Sequence, residues 1–364
     1  MRTAIVSDLH LGMAQGGDVA RLPDARERLL ATVGDADHVV LLGDLLELRE
    51  GRLGQALASA RPLLEELGRL TGGRRVTVVP GNHDHHLTEP FLSRLRLDGS
   101  PLDTENEWRV APGDGLAGRL AEWMPSTELF LAYPGLRLRD DVYATHGHYL
   151  DVHSSVPRIE SIAASAMRRL TGRRDDCSSA ADHEAILAPL YAFHFALAQG
   201  ATSHKALERS GRISREVWTR ASAGSSPRLA SLLLSRAAIP AAVALLNRAG
   251  IGPMNPHLSG VELRRSGLRA MAETVRRLRV EAGHVIHGHT HRPGPLAGDE
   301  LPEWQLPGGA QLWNSGSWFY EGIFLGERPQ ESPYYPGTVV QLDDAGPPRL
   351  MNVLGDLDLP RLGA

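Results

Sequence analysis

The chain of 364 residues has one cysteine, Cys177, and one lysine, Lys205. A single cysteine excludes a disulfide framework within the chain, and by count alone it also sets aside a thiol-based metal or redox site. Long apolar runs are missing too. The two most apolar segments, 185–193 and 237–246, fall short of the about 20 residues that cross a bilayer, and Arg236 and Arg248 bracket the second. No repeat or low-complexity tract stands out. Aromatic residues make up 5% and the net charge is −4, with no basic stretch interleaved with aromatics, so a nucleic-acid partner is not expected. Arginine supplies every positive side-chain charge except Lys205, a bias better explained by codon composition than by phosphate contacts.

What is present is a pattern repeated five times: a short aliphatic run that stops at metal-ligand chemistry. Ala4-Ile5-Val6 leads to Asp8 and His10, Val39-Val40-Leu41-Leu42 to Gly43-Asp44, and Val76-Thr77-Val78-Val79 to Gly81-Asn82-His83-Asp84. Val142-Tyr143-Ala144 leads to His146-Gly147-His148, and Val285-Ile286 to Gly288-His289-Thr290-His291. Runs of this kind read as strands buried on both faces. Helical patterns at 24–31 and 53–70 fill the gaps, giving an α/β chain whose ligands would converge in the crevice beyond the strand ends. The donors are carboxylate, amide oxygen and imidazole, a set suited to Mn, Fe, Zn, Co or Ni. Six or seven of them exceed the needs of one ion. Two ions about 3.5–4 Å apart under a shared carboxylate clamp the attacking and leaving oxygens of phosphoryl chemistry and bring water toward a pKa of about 7. Each histidine alone has a structural reading as a strand-end residue; together they reinforce one another.

These motifs resemble the calcineurin-like metallophosphoesterases, whose pattern is Asp-x-His, Gly-Asp-x-x-Asp/Glu, Gly-Asn-His-Asp/Glu, His-Gly and Gly-His-x-His. Every element is present in order, over about residues 1–155 and 257–320. The resemblance implies a four-layer α/β/β/α sandwich with a helical insertion. It also implies that Asp8, His10, Asp44 and His291 hold one ion and that Asp44, Asn82, His146 and His289 hold the other, with Asp44 as the bridge. His83 would face the scissile phosphate and stabilise charge or protonate the leaving oxygen, and Asp84 would orient His83. Glu47 fills a position open to either carboxylate, with a supporting role or the packing of the next helix expected. His85, His86, His148 and His153 stand beside motif positions without filling one, so solvated or supporting roles are expected for them. Asp151 could face substrate or cap a helix.

Between His146 and His289 the chain spends more than a hundred residues. Helical patterns at 158–170, 181–198, 204–221 and 228–249 mark 156–256 as an insertion into a core of 1–155 and 257–364, with a further helix at 261–281 assigned to the core. From 156 to 256 there are 13 Arg or Lys and 7 Asp or Glu, whereas the remainder has 26 and 36. A basic module thus sits on an acidic body. One reading is a self-contained helical bundle; the other is a cap or membrane-surface element over the active site. Its position resembles that of the helical lid in the UDP-2,3-diacylglucosamine pyrophosphatase branch, which also begins with Ser-Asp-Leu-His-Leu-Gly. This chain departs from that branch at His148, where an aspartate usually follows His-Gly. Downstream, 311–318 resembles the strand and turn after the last metal motif, and 338–342 and 349–354 read as closing strands of two facing mixed sheets.

The expected function is dinuclear metal-dependent hydrolysis of a phosphate ester or pyrophosphate by metal-bound hydroxide, with manganese first among the candidate ions. The substrate class is a phosphorylated small molecule or an amphipathic phosphate ester. A non-catalytic scaffold of the same fold is the alternative, which the complete ligand set and His83 argue against; a nuclease is a third. With its first strand starting at Arg2 and a ligand by Asp8, no removable signal peptide is expected. The expected location is therefore cytoplasmic, peripheral to the inner membrane face only under the reading in which the insertion is a membrane-surface element.

Overall fold

The computed structural model describes residues 1–156, 159–170, 172, 177–200, 244–245, 247–248, 254 and 260–360. The helix expected at 204–221 lies outside the described residues, as does that at 228–249 apart from 244–245 and 247–248, which are helical. The chain forms two compact units, 1–148 with 280–364, and 149–279.

The first unit is built on a mixed ladder of ten strands. At its centre β1 (Thr3–Val6), β2 (His38–Leu42) and β3 (Arg75–Val79) run parallel. The aliphatic runs are buried on both faces, as such a sheet requires. Crossovers through α1 (Pro23–Val33) and α2 (Leu53–Leu70) connect these strands and bury Leu29, Leu30 and Val33, and Leu63, Leu64 and Leu67. On the β1 side, β9 (Thr338–Leu342) and β10 (Arg349–Asn352) close the sheet antiparallel.

On the β3 side lies β5 (Glu128–Arg139), which carries the ladder from one half of the fold to the other. Its first part pairs with β3 in parallel and with β4 (Glu105–Arg109) antiparallel. From Gly135 on it pairs instead with β6 (Val142–Thr145), followed by β7 (His284–His287) and β8 (Gln311–Asn314). The two expected sheets are thus two halves of one ladder sharing β5. Pro134, which has no N–H to donate, sits where the strand changes partner. Gly135 is needed beside it, since a Cβ there would run into the Tyr143 ring. The halves enclose one core: Ile5, Val40 and Val79 pack with Val142, Ala144 and Ile286 around Ala132 and Leu136 of β5.

The second unit contains α5 (Ile159–Leu170), α6 (Ala180–Gln199) and α7 (Gly260–Leu278). Helix α6 starts at a capping box: Ser179 Oγ accepts from the Asp182 N–H while the Asp182 carboxylate accepts from the Ser179 N–H. Among the described residues no helix is long and apolar enough to cross a membrane.

The buried start of β2 carries a pH-dependent element of stability. His38 Nε2 lies 2.8 Å from Thr77 Oγ1, and burial, with the nearby Arg75 cation, pushes its pKa down from 6.5 to about 4. The folded chain therefore keeps this imidazole neutral, while the unfolded chain takes up a proton between those values. Its contribution is complete above pH 6.5 and is lost as the pH falls toward 4. A shift of that size corresponds to about 3 kcal/mol. His38→Gln keeps a polar partner for Thr77 but cannot titrate. Urea unfolding at neutral pH and at the acid end should show the variant losing about 3 kcal/mol less than wild type; equal losses would acquit His38.

Candidate metal centre

Each motif follows the carboxyl end of its strand, and the backbone turns sharply there. Asp8, His10, Asp44, His289 and His291 all have positive φ, from 46° to 66°, and among the described residues Arg279 is the only other non-glycine that does. Such conformations cost about 1–3 kcal/mol each and persist only where the surroundings impose them. Here the loops brace one another: the Asp8 N–H donates to Gly43 O at 3.0 Å and the His10 N–H to Asp44 O at 2.8 Å. Two glycines permit the crowding. A Cβ on Gly43 would overlap the His146 ring, and one on Gly81 would overlap both that ring and Asp44 Oδ1.

The loops bring the expected ligands into two adjoining groups. In the first, donor atoms of Asp8, His10 and His291 lie within 4.8 Å of one another. His291 Nε2 is 3.3 Å from Asp8 Oδ1 and 3.3 Å from His10 Nε2. In the second, Asp44, His146 and His289 meet the same limit, and His146 Nε2 lies 3.2 Å from both Asp44 Oδ2 and Asn82 Oδ1. Asp44 Oδ2 also lies 3.7 Å from His10 Nε2, so one carboxylate oxygen faces both groups. That is the arrangement a bridging ligand needs.

The ring nitrogens turned away from the centre are held in the tautomer a metal requires. His146 Nδ1–H donates to Leu42 O at 3.1 Å, and His10 Nδ1–H to Glu47 Oε2 at 3.1 Å. Asp8 Oδ1 is buried without a well-formed hydrogen bond, an acceptor suited to a cation. These donors fit two divalent ions.

The field at the centre favours positive charge. Burial alone would disfavour a charged His10, but the Glu47 hydrogen bond and the Asp44, Glu47 and Asp8 carboxylates raise its pKa to about 9. His146 is likewise raised to about 10, against its burial, by Asp44 and Asp8. In return, the imidazoles overcome the burial penalty of Asp8 and Asp44 and hold both below the ordinary carboxylate range. Outside the ligand groups, burial lowers the pKa of His148, which is tilted against His146, stacks on Tyr133 and lies 3.2 Å from the Tyr133 hydroxyl. Burial also takes His287 to about 4.

One expected role needs correction. The carboxylate on the His83 ring belongs to Glu47, whose Oε2 accepts from His83 Nδ1 at 2.7 Å as well as from His10. Asp84 is turned toward backbone: Oδ1 accepts from the Gly81 N–H at 2.7 Å, and Oδ2 from the Leu45 and Leu46 N–H groups at 2.8 and 3.3 Å. Its short side chain gathers three otherwise unsatisfied donors from two loops and has no reach left for His83. Burial and the neighbouring Asp44 charge raise its pKa to about 6. Sequence reasoning also passed over Arg49, whose Nη1 lies 3.4 Å from His83 Nε2. It likewise missed Asn314, which fixes the last motif by donating to Thr290 Oγ1 at 2.8 Å and Gly288 O at 3.1 Å. Arg49 belongs to no motif, and Asn314 lies in the 311–318 stretch that the sequence singles out without assigning it a role.

A family model described as calcineurin-like phosphoesterase matches residues 1–187. The chain belongs to the calcineurin-like phosphoesterase family. A search of solved structures finds similarity to a dimetal phosphatase from Danio rerio at 13% identity, covering 94% of this chain and 95% of that one, with a TM-score of 0.31. So slight a structural likeness carries no argument about function. No curated protein matches. The metal-dependent phosphoesterase chemistry of the family accords with the paired donor groups.

Two comparisons of variants separate these roles. Asp44→Asn should deplete both ions, whereas Asp8→Asn should deplete mainly one; metal analysis giving two ions and full turnover in Asp44→Asn would remove the bridge. Glu47→Gln, which weakens support for His10 and His83 together, should cost about 10–100-fold in activity or metal affinity. Asp84→Asn should instead lower the unfolding free energy by about 1–3 kcal/mol by disturbing buried backbone donors. If Asp84→Asn proves as stable as wild type, the bracing role is wrong.

Proposed function

We propose that this phosphoesterase hydrolyses a phosphate ester or pyrophosphate, with manganese as its first-choice metal and with His83 and Arg49 facing the substrate phosphate. The observation that carries this reading is the placement of His83. Its backbone N–H donates to Asp44 Oδ1 at 2.8 Å and its Nδ1 is held by Glu47, so the ring is fixed beside the ligand groups. Nε2 is then the atom able to exchange a proton with a leaving oxygen. Glu47 fixes which edge of that ring is presented, and Arg49 adds a permanent cation beside it. A guanidinium next to an imidazole edge suits the oxygens of an anionic phosphate. Two bound divalent ions would supply the activated water and neutralise charge on the phosphoryl oxygens.

The test is turnover over a panel of phosphate monoesters, diesters, cyclic nucleotides and nucleotide-diphosphate lipids with added manganese. His83→Ala should keep wild-type metal content while lowering turnover by about 10²–10⁴. The loss should shrink on substrates with good leaving groups. Equal losses on aryl and alkyl leaving groups would replace proton donation by electrostatic stabilisation. Absence of turnover on every panel member, with two ions bound, would favour the scaffold reading.

A further inference from the structure

The second unit contains a group of ligand type that residue counting had set aside. Cys177, His153 and His183 each present one donor atom, all within 4.8 Å of one another. Cys177 and His183 are buried and His153 is partly exposed, so the group has one side open to solvent. His183 stands in the first turn of α6 and is held twice. Its Nδ1–H donates to Ser179 O at 2.8 Å, and its ring stacks on Tyr149 with centroids 4.9 Å apart and planes 12° from parallel.

A carbonyl oxygen can only accept, so Nδ1 carries the proton of His183 and Nε2 presents a lone pair. A backbone carbonyl on the remote nitrogen is the support that metal-binding histidines usually have. That lone pair faces His153 Nε2 at 2.9 Å. Without a metal, His153 Nε2–H fills it, and the bland reading is a buried hydrogen bond between two imidazoles. Burial disfavours the charged form of either ring, and the neutral form is the one that binds metal.

We propose that His153, Cys177 and His183 form a mononuclear site for a borderline-soft divalent ion, with zinc the best match, additional to the dinuclear centre. Two imidazoles and a thiolate suit zinc and leave one position for water. With zinc bonds of about 2.0–2.3 Å, tetrahedral donors stand about 3.3–3.6 Å apart. The rings therefore ease apart by a few tenths of an ångström, and the sulfur, within 4.8 Å of a donor nitrogen of each ring, takes the third position. The proton count is simple: His153 moves its proton from Nε2 to Nδ1, and the thiol releases one proton to solvent. The ion and thiolate together bring one net positive charge. Around the two rings, Arg168 and Arg277 are balanced by Asp182 and Glu273, so that charge meets no net repulsion. The bound ion would tie His153 to the start of α6 within the second unit.

The full-length protein, stripped with a chelator and titrated with cobalt(II), tests the site. The dinuclear centre offers no thiolate, so a near-ultraviolet thiolate-to-cobalt charge-transfer band can arise only at Cys177. Wild type should show the band and bind one cobalt more than Cys177→Ser, which should lose the band. His183→Gln should also lose it while still hydrolysing an aryl phosphate, which shows that the variant is folded. Absence of the band in cobalt-saturated wild type would overturn the proposal, a result that depends on no variant folding. So would a band of undiminished strength in the His153→Gln, His183→Gln double variant. Zinc should also slow modification of Cys177 by a thiol reagent where magnesium does not; equal rates with the two metals would count against the site.

Discussion

Asp8 and Asp44 are ionised carboxylates almost fully withdrawn from water, and a buried carboxylate stays charged only beside compensating positive charge. Much of the first unit follows from that requirement. The imidazoles of His10, His146 and His291 crowd against the two aspartates, and strand-end loops adopt left-handed backbone to bring them there. Glycines stand where a Cβ would collide with the rings. Divalent cations answer the same need more completely than protonated histidines. Metal uptake should accordingly displace protons from His10 and His146, whose pKa values stand at about 9 and 10.

The convergence of these donor residues was legible in the sequence because each depends on a local signal: an aliphatic run, then a turn, then a donor. Five such signals in a parallel fold have one place to meet. What was not legible depends on partners far apart in the chain. Nothing near Asp84 shows that Gly81, Leu45 and Leu46 will all turn their N–H groups toward it, leaving His83 to Glu47. The family pattern allowed Glu47 a supporting role but did not assign it His83. Strand β5 was obscured for a different reason. Pro134-Gly135 reads locally as a turn, and only the presence of β3 and β4 on one stretch and β6 on the next makes it the point where a continuous strand exchanges neighbours.

Cys177 shows the limit of composition as an argument. Counting cysteines disposes of disulfides soundly, because a disulfide within the chain needs two. It does not dispose of thiolate coordination, because a metal site can draw its remaining donors from histidines elsewhere in the chain. His153 was read as a bystander of the His146 motif, yet it joins His183 and Cys177 in the second unit.

The two histidine groups also differ in the charge built around them, and that difference separates their chemistry. In the first unit carboxylates outweigh burial at His10 and His146 and raise their basicity; in the second, burial prevails at His153 and His183. A carboxylate-rich centre draws cations strongly and leaves a bound ion with enough positive charge to act on a phosphate. A site of neutral imidazoles and one thiolate relies instead on donor softness for selectivity. The first arrangement suits hydrolysis, the second the capture of a single softer ion, and the same residue type serves both because its surroundings set the charge it carries.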